Sequence, residues 1–254
     1  GGINLEDISA PRCFEIEARL RELLDIPVFH DDQHGTAVVV LAALRNALKL
    51  VKKDLGKTKI ILNGAGAAGT AIARLLVLAG ARNIIGFDSS GVINKKSASN
   101  SDMRKWFIEN CNPEQFEGNL SQAMSGADIF IGVSAPNLLS EADIQSMAKG
   151  SIVFALANPD PEIDPVLARK HAAVVATGRS DQPNQINNVL AFPGIFRGLL
   201  DAGASKITDE LLVACAEAIA SCVSESQLNA SFIVPSVFDT NVVKLVADAV
   251  KRFT

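Results

Sequence analysis

Apolar residues recur along this chain with two alternating periods, one typical of buried strands and one typical of helices. Short apolar, β-branched runs predict strands at 27–30, 59–62, 83–87, 128–134, 151–157 and 173–177. Helical periodicity predicts helices at 14–25, 35–54, 67–78, 101–110, 119–124, 140–148, 165–171, 194–202, 209–223 and 240–251. Strands that alternate with helices are typical of a parallel sheet covered on both faces. We therefore expect an α/β fold, a doubly wound Rossmann-like parallel sheet with helical additions at both ends. Residues 1–34 would lead into the domain and residues 35–254 would form it.

One stretch combines a strand, a glycine turn, a helix and a second strand that ends in an acid. Gly64, Gly66 and Gly69 form G-x-G-x-x-G, which permits a tight turn, close approach of a pyrophosphate and close packing of helix on sheet. The helix begins at Ala67, and N–H groups in its first turn can hold a phosphate. Asp88 follows about 20 residues after the glycines, where an acid accepts hydrogen bonds from ribose hydroxyls. The complete unit predicts a site for a nicotinamide dinucleotide rather than a glycine turn without a ligand.

The sequence leaves the choice between NAD and NADP open. Asp88 favours NAD because its charge repels a 2′-phosphate. Lys95 and Lys96 lie close enough downstream to offer that phosphate a contact, although no basic residue directly follows Asp88.

Composition narrows the class of protein. The chain has 254 residues, of which 48% are hydrophobic and 20% charged, as in ordinary globular proteins. A net charge of −4 argues against nucleic acid as the main partner. The longest apolar run, 37–44, has the length of a core helix, so no membrane partner is expected. The four cysteines lack C-x-x-C spacing, which favours a reduced, cytoplasmic setting. The Gly-Gly start without methionine suggests a fragment, a processed product or a trimmed chain.

Carboxylates are concentrated in two short segments near the start of the chain. Glu6 and Asp7 lie in the first, and Asp31 and Asp32 in the second. Hard cations such as Mg²⁺ and Mn²⁺ prefer carboxylate oxygens, and three such groups leave coordination positions for water and substrate. Adjacent strand residues point to opposite faces, so Glu6 and Asp7 could share a metal only in irregular backbone. Judged by spacing alone, such pairs are more often solvated surface acids.

Two histidines flank the second acidic pair. His30 and His34 are four residues apart, a spacing that suggests a zinc pair only on a helix. Here His30 ends a predicted strand and His34 precedes a predicted helix. We therefore expect loop histidines that support the neighbouring acids.

Polar loops follow the later predicted strands. In open α/β sheets, ligands bind beyond the carboxyl ends of the strands. The segments expected at that edge are Ser134-Ala135-Pro136, Ala157-Asn158-Pro159, Thr177-Gly178-Arg179 and Asn187-Asn188. Asparagine can hold a hydroxyl and a carboxylate together, because its amide both donates and accepts. Each loop alone is explained by a capped turn, but several at one edge predict a site.

Five segments together resemble the malic enzyme family, malate dehydrogenases that also decarboxylate their product. They are GGINLEDISAPRCFEIE, PVFHDDQHGTA, LNGAGAAG, FALANPDPEI and QINNVLAFPGIFRG, in the family's order and across nearly the whole chain. The resemblance is closest to the small bacterial type. Runs such as FHDDQHGTA are far more specific than a dinucleotide fingerprint alone.

The resemblance implies a role for each matching residue. Glu6, Asp7 and Asp32 match the ligands of a divalent metal, Mg²⁺ or Mn²⁺, and Asp31 matches a supporting catalytic acid. The implied cofactor residues are Gly64, Gly66, Ala67, Gly69, Asp88, Ser134 and Asn158. Asn158 and Asn188 match residues that hold malate. The implied reaction passes a hydride from malate to the nicotinamide, releases CO₂ and yields pyruvate. A dimer or larger homo-oligomer is also implied.

The chain departs from the family in one respect. The family's catalytic tyrosine and lysine lie upstream of the GGINLEDI motif, where this chain begins, and the chain has no tyrosine. We therefore expect a cofactor domain with half of an active site, and little turnover of malate by this chain alone. A stand-alone dinucleotide-binding or sensing module without catalysis is the alternative. Another dehydrogenase of similar fold, for example one acting on amino acids, is a third interpretation, but neither alternative needs the acid cluster.

Overall fold

Eight strands form two sheets in this computed structural model, which describes residues 1–98 and 101–253. In the small sheet, β1 (Ile3–Leu5) pairs in parallel with β2 (Val28–His30). The large sheet contains β3 (Lys59–Asn63), β4 (Asn83–Asp88), β5 (Gly91–Val92), β6 (Ile129–Gly132), β7 (Ile152–Ala155) and β8 (Val174–Thr177). Its order is β5-β4-β3-β6-β7-β8, and only β5 is antiparallel to its neighbour. Because β4 and β6 lie on opposite sides of β3, the strand order reverses there, which is where open α/β sheets bind ligands.

The central strands are apolar because both faces of the sheet are covered. Ile60, Ile61 and Leu62 of β3 are all fully buried. Ile60 and Leu62 belong to one hydrophobic cluster, and Ile61 belongs to a second cluster on the other face. Successive side chains of a strand point to opposite faces, so a continuous apolar run fills two layers of core. The predicted doubly wound α/β fold is thereby confirmed.

Ten α-helices surround the sheets within the described ranges. They are α1 (Arg12–Leu23), α2 (Thr36–Val51), α3 (Ala67–Leu78), α4 (Asp102–Asn110), α5 (Leu120–Met124), α6 (Glu141–Gln145), α7 (Pro165–Ala168), α8 (Phe192–Ala202), α9 (Asp209–Ser221) and α10 (Thr240–Lys251). A π-helical turn at Asp31–Gly35 leads directly into α2, and short 3₁₀ turns lie at Leu55–Lys57 and Asn188–Leu190.

Helix α2 is the central core helix. Together with the π-helical turn it forms a 21-residue stretch, Asp31–Val51, within which one 18-residue window has a mean hydropathy of 1.3. Among the described residues, this one stretch is long and apolar enough to cross a membrane by length and composition alone. It is longer than the run 37–44 considered from the sequence. Since 67% of that window is buried inside the protein, its apolar character is that of a core helix.

The predicted elements are present, but several are shorter than their apolar runs. β6 ends at Gly132 and β7 at Ala155, because the amides of Ser134 and Ala157 leave the ladder and donate to the buried carboxylate of Glu162. The sequence did not predict β1, β5 or the π-helical turn. Each is too short for a period to be recognised.

Residues 1–34 pack tightly onto the rest of the chain. Phe29 of β2 is fully buried in the main hydrophobic cluster, and its ring lies 6.0 Å from that of Phe196 on α8. The lead-in segment therefore shares its core with the sheet domain. The division at residue 34 stays a prediction.

Candidate active site

A cleft of about 510 Å³ opens at the carboxyl edge of the large sheet. The residues that line it come from the start of the chain, the π-helical turn, the beginnings of α2 and α3, and the loops after β6, β7 and β8. The polar ones are Glu6, Asp31, Asp32, Thr36, Ser134, Asn158, Arg179, Asn187 and Asn188. Ala68, in the first turn of α3, lies against the same cleft. The fold thus brings together residues that are far apart in the sequence.

The glycine turn has the geometry that a pyrophosphate requires. Gly64 has a φ of +114°, and its N–H donates to the carbonyl of Phe87 at 2.9 Å. A Cβ on Gly69 would overlap the carbonyl oxygen of Gly64, so that position needs glycine for helix and turn to pack. No atom lies within 4 Å of a Cβ built on Gly66, and no side chain caps the start of α3 at Ala67. The first N–H groups of α3 therefore have space for a phosphate, and the turn fits a dinucleotide.

Asp88 ends β4 next to this turn, where it already has two partners. One carboxylate oxygen accepts from the N–H of Ser90 at 2.8 Å, and the other lies 3.2 Å from a guanidinium nitrogen of Arg104 on α4. No local pattern in the sequence points to Arg104, because 15 residues separate it from Asp88. Lys96, which was considered as a phosphate contact, pairs with Glu117 instead.

Asp31 is the buried acid of the cleft. The side-chain amide of Asn188 donates to one of its carboxylate oxygens at 3.2 Å, while the other oxygen is buried without a partner among the described residues. Burial raises the pKa of Asp31, the Asn188 hydrogen bond lowers it, and the charges of Glu6 and Asp32 raise it further. The net shift is upward. Asn188 in turn accepts from the hydroxyl of Thr36 at 3.2 Å, so its amide orientation is set from both sides.

The predicted metal ligands are brought close but are not fully assembled. Asp7 lies in irregular backbone with a φ of +57°, and its N–H donates to a carboxylate oxygen of Asp32 at 2.9 Å. Glu6 and Asp32 line the cleft, whereas Asp7 does not. Within residues 1–98 and 101–253, no three His, Cys, Asp or Glu side chains form a ready metal-binding group. The oxygen donors fit a hard cation chemically, and the unpartnered oxygen of Asp31 adds a further donor beside them.

The two histidines do not support the neighbouring acids as expected. His34 lies 2.6 Å from the carboxylate of Glu17 on α1, which also accepts from the amide of Gln33 at 3.0 Å. His30 is fully buried, and neither ring nitrogen has a partner among the described residues; burial lowers its pKa. The expectation is wrong because the π-helical turn directs His34 towards α1.

Glu162 organises the loops at the edge of the cleft. Its carboxylate accepts from the N–H of Ser134 at 3.2 Å and from the N–H of Ala157 at 3.1 Å. Burial raises its pKa, although these hydrogen bonds lower it. Ser134 also accepts from the amide of Asn63 at 2.8 Å. The sequence contains Glu162 in the segment FALANPDPEI, but nothing local distinguishes it from a surface acid.

Arg179 supplies a cationic side chain to the cleft. Its guanidinium makes a bidentate contact with Asp181, at 2.8 and 2.7 Å. Arg179 lines the same cleft as Asn158, and Asp160 lies 3.8 Å from its guanidinium, so two carboxylates balance its charge.

Known proteins are similar to this chain over nearly its whole length. The family model "Malic enzyme, NAD binding domain" matches residues 33–253. The NAD-dependent malic enzyme of Geobacillus stearothermophilus is 58% identical over 250 residues, which cover 98% of this chain and 52% of that protein. The bifunctional malic/malolactic enzyme of Bacillus subtilis is 52% identical, over 99% of this chain and 62% of that protein.

Solved structures agree with the sequence comparison. The NAD-dependent malic enzyme of Thermotoga maritima superposes with a TM-score of 0.93 at 48% identity, covering 98% of this chain and 66% of that one. The malic enzyme of Pyrococcus horikoshii superposes with a TM-score of 0.93 at 45% identity, covering 100% of this chain and 60% of that one. The chain spans about half the length of the Geobacillus enzyme.

Proposed function

The chain belongs to the malic enzyme family, and on that basis we propose that it provides the dinucleotide site and part of the substrate site of an enzyme that converts malate to pyruvate and CO₂. The observation that carries the proposal is the cleft at the carboxyl edge of the sheet. Glu6, Asp32, Asn158 and Asn188 come from four separate segments and line it together with the start of α3.

The proposed cofactor site is formed by the glycine turn after β3 and by the loops after β6 and β7. The proposed binding residues are Gly64, Gly66, Ala67, Gly69, Asp88, Ser134 and Asn158. When bound, NAD or NADP accepts the hydride that leaves C2 of malate. Support comes from the open space at Gly66 and from the uncapped first turn of α3.

Asn158 and Asn188 would hold malate. An amide can donate to a carboxylate and accept from the C2 hydroxyl, which is the pattern that malate presents. Asp31 is proposed to position Asn188, because its carboxylate accepts from that amide at 3.2 Å. Arg179 lines the same cleft, where its guanidinium is paired with Asp181.

A divalent ion is a further proposal. Glu6, Asp7 and Asp32 would hold Mg²⁺ or Mn²⁺, for which oxygen ligands are preferred. When bound, such an ion supplies Lewis-acid polarisation of the substrate oxygen. The hydrogen bond from the Asp7 amide to Asp32 already connects the two acidic segments.

Two further proposals concern the whole protein. A homodimer is proposed from the family resemblance, and a cytoplasmic location is proposed from the cysteine pattern.

The test replaces the matching segment of the Geobacillus stearothermophilus enzyme with this chain and measures NADH formation from malate with Mn²⁺. We expect turnover by the chimera. Asp32→Asn should lower its kcat at least about tenfold, because even the loss of a residue that only supports a metal ligand typically costs about 10- to 100-fold. Asp102→Asn is the matched control, because the Asp102 side chain is fully exposed on α4 and should leave the rate unchanged.

A stand-alone dinucleotide-binding or sensing module without catalysis, the alternative function, predicts a different result. A folded chimera that binds NAD but forms no NADH would contradict the proposal and favour a binding module without catalysis. Equal losses in Asp32→Asn and Asp102→Asn would contradict the metal-ligand assignment.

A further inference from the structure

A second large cleft, of about 600 Å³, lies at the opposite edge of the large sheet from the candidate active site. Its walls are the end of α2, the segment that leads into β3, and the turn between α3 and β4. It shares no lining residue with the first cleft. Nothing in the proposed reaction uses it.

The second cleft is strongly cationic, and we call it the basic cleft. Its six basic lining residues are Arg45, Lys49, Lys52, Lys53, Lys57 and Arg82. The one acid in its lining is Asp54, which accepts from the N–H of Gly56 at 2.9 Å. The chain as a whole carries a net charge of −4, so this excess of positive charge is local. A concave wall focuses such a field onto a small ligand.

Most of these cations lack a partner within the described residues. Lys53 pairs with Asp128 at 2.7 Å, and Arg45 pairs with Glu217 at 3.0 Å. The charged groups of the other four make no hydrogen bond or ion pair to any described residue; they are Lys49, Lys52, Lys57 and Arg82. The Nε of Arg45 is also buried without an acceptor. A buried donor without a partner costs free energy, which an acceptor supplied by a ligand would recover.

Helix-end electrostatics explain only part of this arrangement. Lys49 lies in the last turn of α2, where a cation stabilises the partial negative charge of the helix end. Lys57 and Arg82, however, belong to other segments and converge on the same cavity from outside α2. The combined partial charges of two helix ends amount to about one negative charge, against the four cations that have no acidic partner.

We propose that the basic cleft binds a small anion that carries three or more negative charges, a polyphosphate or a tricarboxylate. The volume suits a small molecule, since ligand pockets typically measure about 300–1,000 Å³. Primary ammonium and guanidinium groups on three walls match charge distributed over a compact ligand. The site is independent of the proposed malate chemistry.

The experiment is calorimetric titration of the chain at 0.15 M ionic strength, about physiological, with inorganic tripolyphosphate in one arm and citrate in the other. Saturating NAD is present in both arms, so that the dinucleotide site is filled. We expect saturable binding, and the tighter arm identifies the ligand class. The double variant Lys49→Gln/Arg82→Gln should weaken binding about tenfold, as the loss of two charged contacts predicts.

The matched control removes the same charge elsewhere, at two exposed lysines outside both clefts, with Lys206→Gln/Lys244→Gln. It should bind the anion as the parent does, and thermal unfolding should show that both double variants are folded. Absence of saturable binding in both arms would overturn the proposal. So would equal weakening in the two double variants, because the interaction would then reflect net charge rather than this cleft.

Discussion

At the scale of single residues, Arg104 has the largest effect on the charge at the end of β4, where the cofactor site is proposed. An acid at the end of the second strand normally favours NAD, because it repels the 2′-phosphate of NADP. Here Asp88 pairs with Arg104 at 3.2 Å, and the Arg104 side chain is only 14% exposed. The guanidinium offsets the charge of Asp88, and its buried Nε has no partner among the described residues. The charge at the end of β4 is therefore set by a pair of residues rather than by Asp88 alone.

We expect Arg104→Gln to reduce NADP binding more than NAD binding. Without the guanidinium, the charge of Asp88 would repel a 2′-phosphate, whereas the hydroxyls of NAD would still donate to it. The expected change in the NADP/NAD affinity ratio is about tenfold, the size of one lost charged hydrogen bond. Fluorescence titration with the two reduced cofactors measures it. Lys105→Gln, next to it on the exposed face of α4, should leave the ratio unchanged. Equal losses for both cofactors would show that Arg104 only supports the fold.

At the scale of elements, the helical addition at the end of the chain depends on close contact between α8 and α10. Gly194 and Gly198 are one turn apart on α8 and face α10. A Cβ on Gly198 would lie 2.5 Å from the Cβ of Val250 and 2.8 Å from the carbonyl oxygen of Ala247. Since backbone atoms cannot move aside easily, glycine at this position determines how near the two helices lie.

Gly198→Ala should therefore destabilise the chain, although alanine is the better helix former. Overpacking typically costs about 1–3 kcal/mol, which exceeds the ~1 kcal/mol that alanine contributes in a helix interior. Urea unfolding followed by circular dichroism measures the change in the free energy of unfolding. Leu200→Ala on the exposed side of the same helix is the control, with an expected change within about 0.5 kcal/mol. A more stable Gly198→Ala variant would mean that α8 and α10 are not in close contact.

At the scale of the whole molecule, a buried charged cluster connects the lead-in segment to the sheet domain. Glu17 on α1 lies 2.7 Å from Arg21 and 2.6 Å from His34 in the π-helical turn. The same turn carries Asp31 and Asp32 into the candidate active site. Burial raises the pKa of Glu17, but the hydrogen bond and charge of His34 and the charge of Arg21 outweigh burial and leave it lowered.

The stability of the chain should therefore depend on Glu17 at neutral pH but not in acid. A carboxyl whose folded pKa is lowered contributes stability above its unfolded pKa, near 4.5, and loses it as the pH falls through the folded value. We expect Glu17→Gln to cost about 1–3 kcal/mol at pH 7, as for a buried hydrogen bond to a charged group. The difference should shrink as the pH falls below 4.5. Denaturant unfolding across this range measures it, with the exposed Glu22→Gln as control. A difference that stays constant with pH would contradict the charged role of Glu17.

The sequence by itself determined the class of fold, because burial on both faces of a sheet requires continuous apolar strands such as Ile60–Leu62. It also located the glycine turn, since the tight turn and the close packing of helix on sheet require glycine at the positions of G-x-G-x-x-G. The capping boxes at Ser140 and Asn119, found in the structure, are also formed by residues three positions apart. Each of these features depends on neighbours within a few residues, so a local pattern is sufficient to predict it.

Only the tertiary structure decided which side chains meet. Arg104 pairs with Asp88, and Glu17 pairs with His34. Glu162 accepts hydrogen bonds from the amides of Ser134 and Ala157, just beyond the ends of β6 and β7. The basic cleft likewise combines α2 with Lys57 and Arg82 from segments beyond it. In each case the packing of different elements brings the partners together. Because the partners are far apart in the sequence, no local sequence pattern predicts the contact. The positions of polar residues along the chain therefore indicate that a site exists. The packing of helices and strands against one another determines which side chains form it.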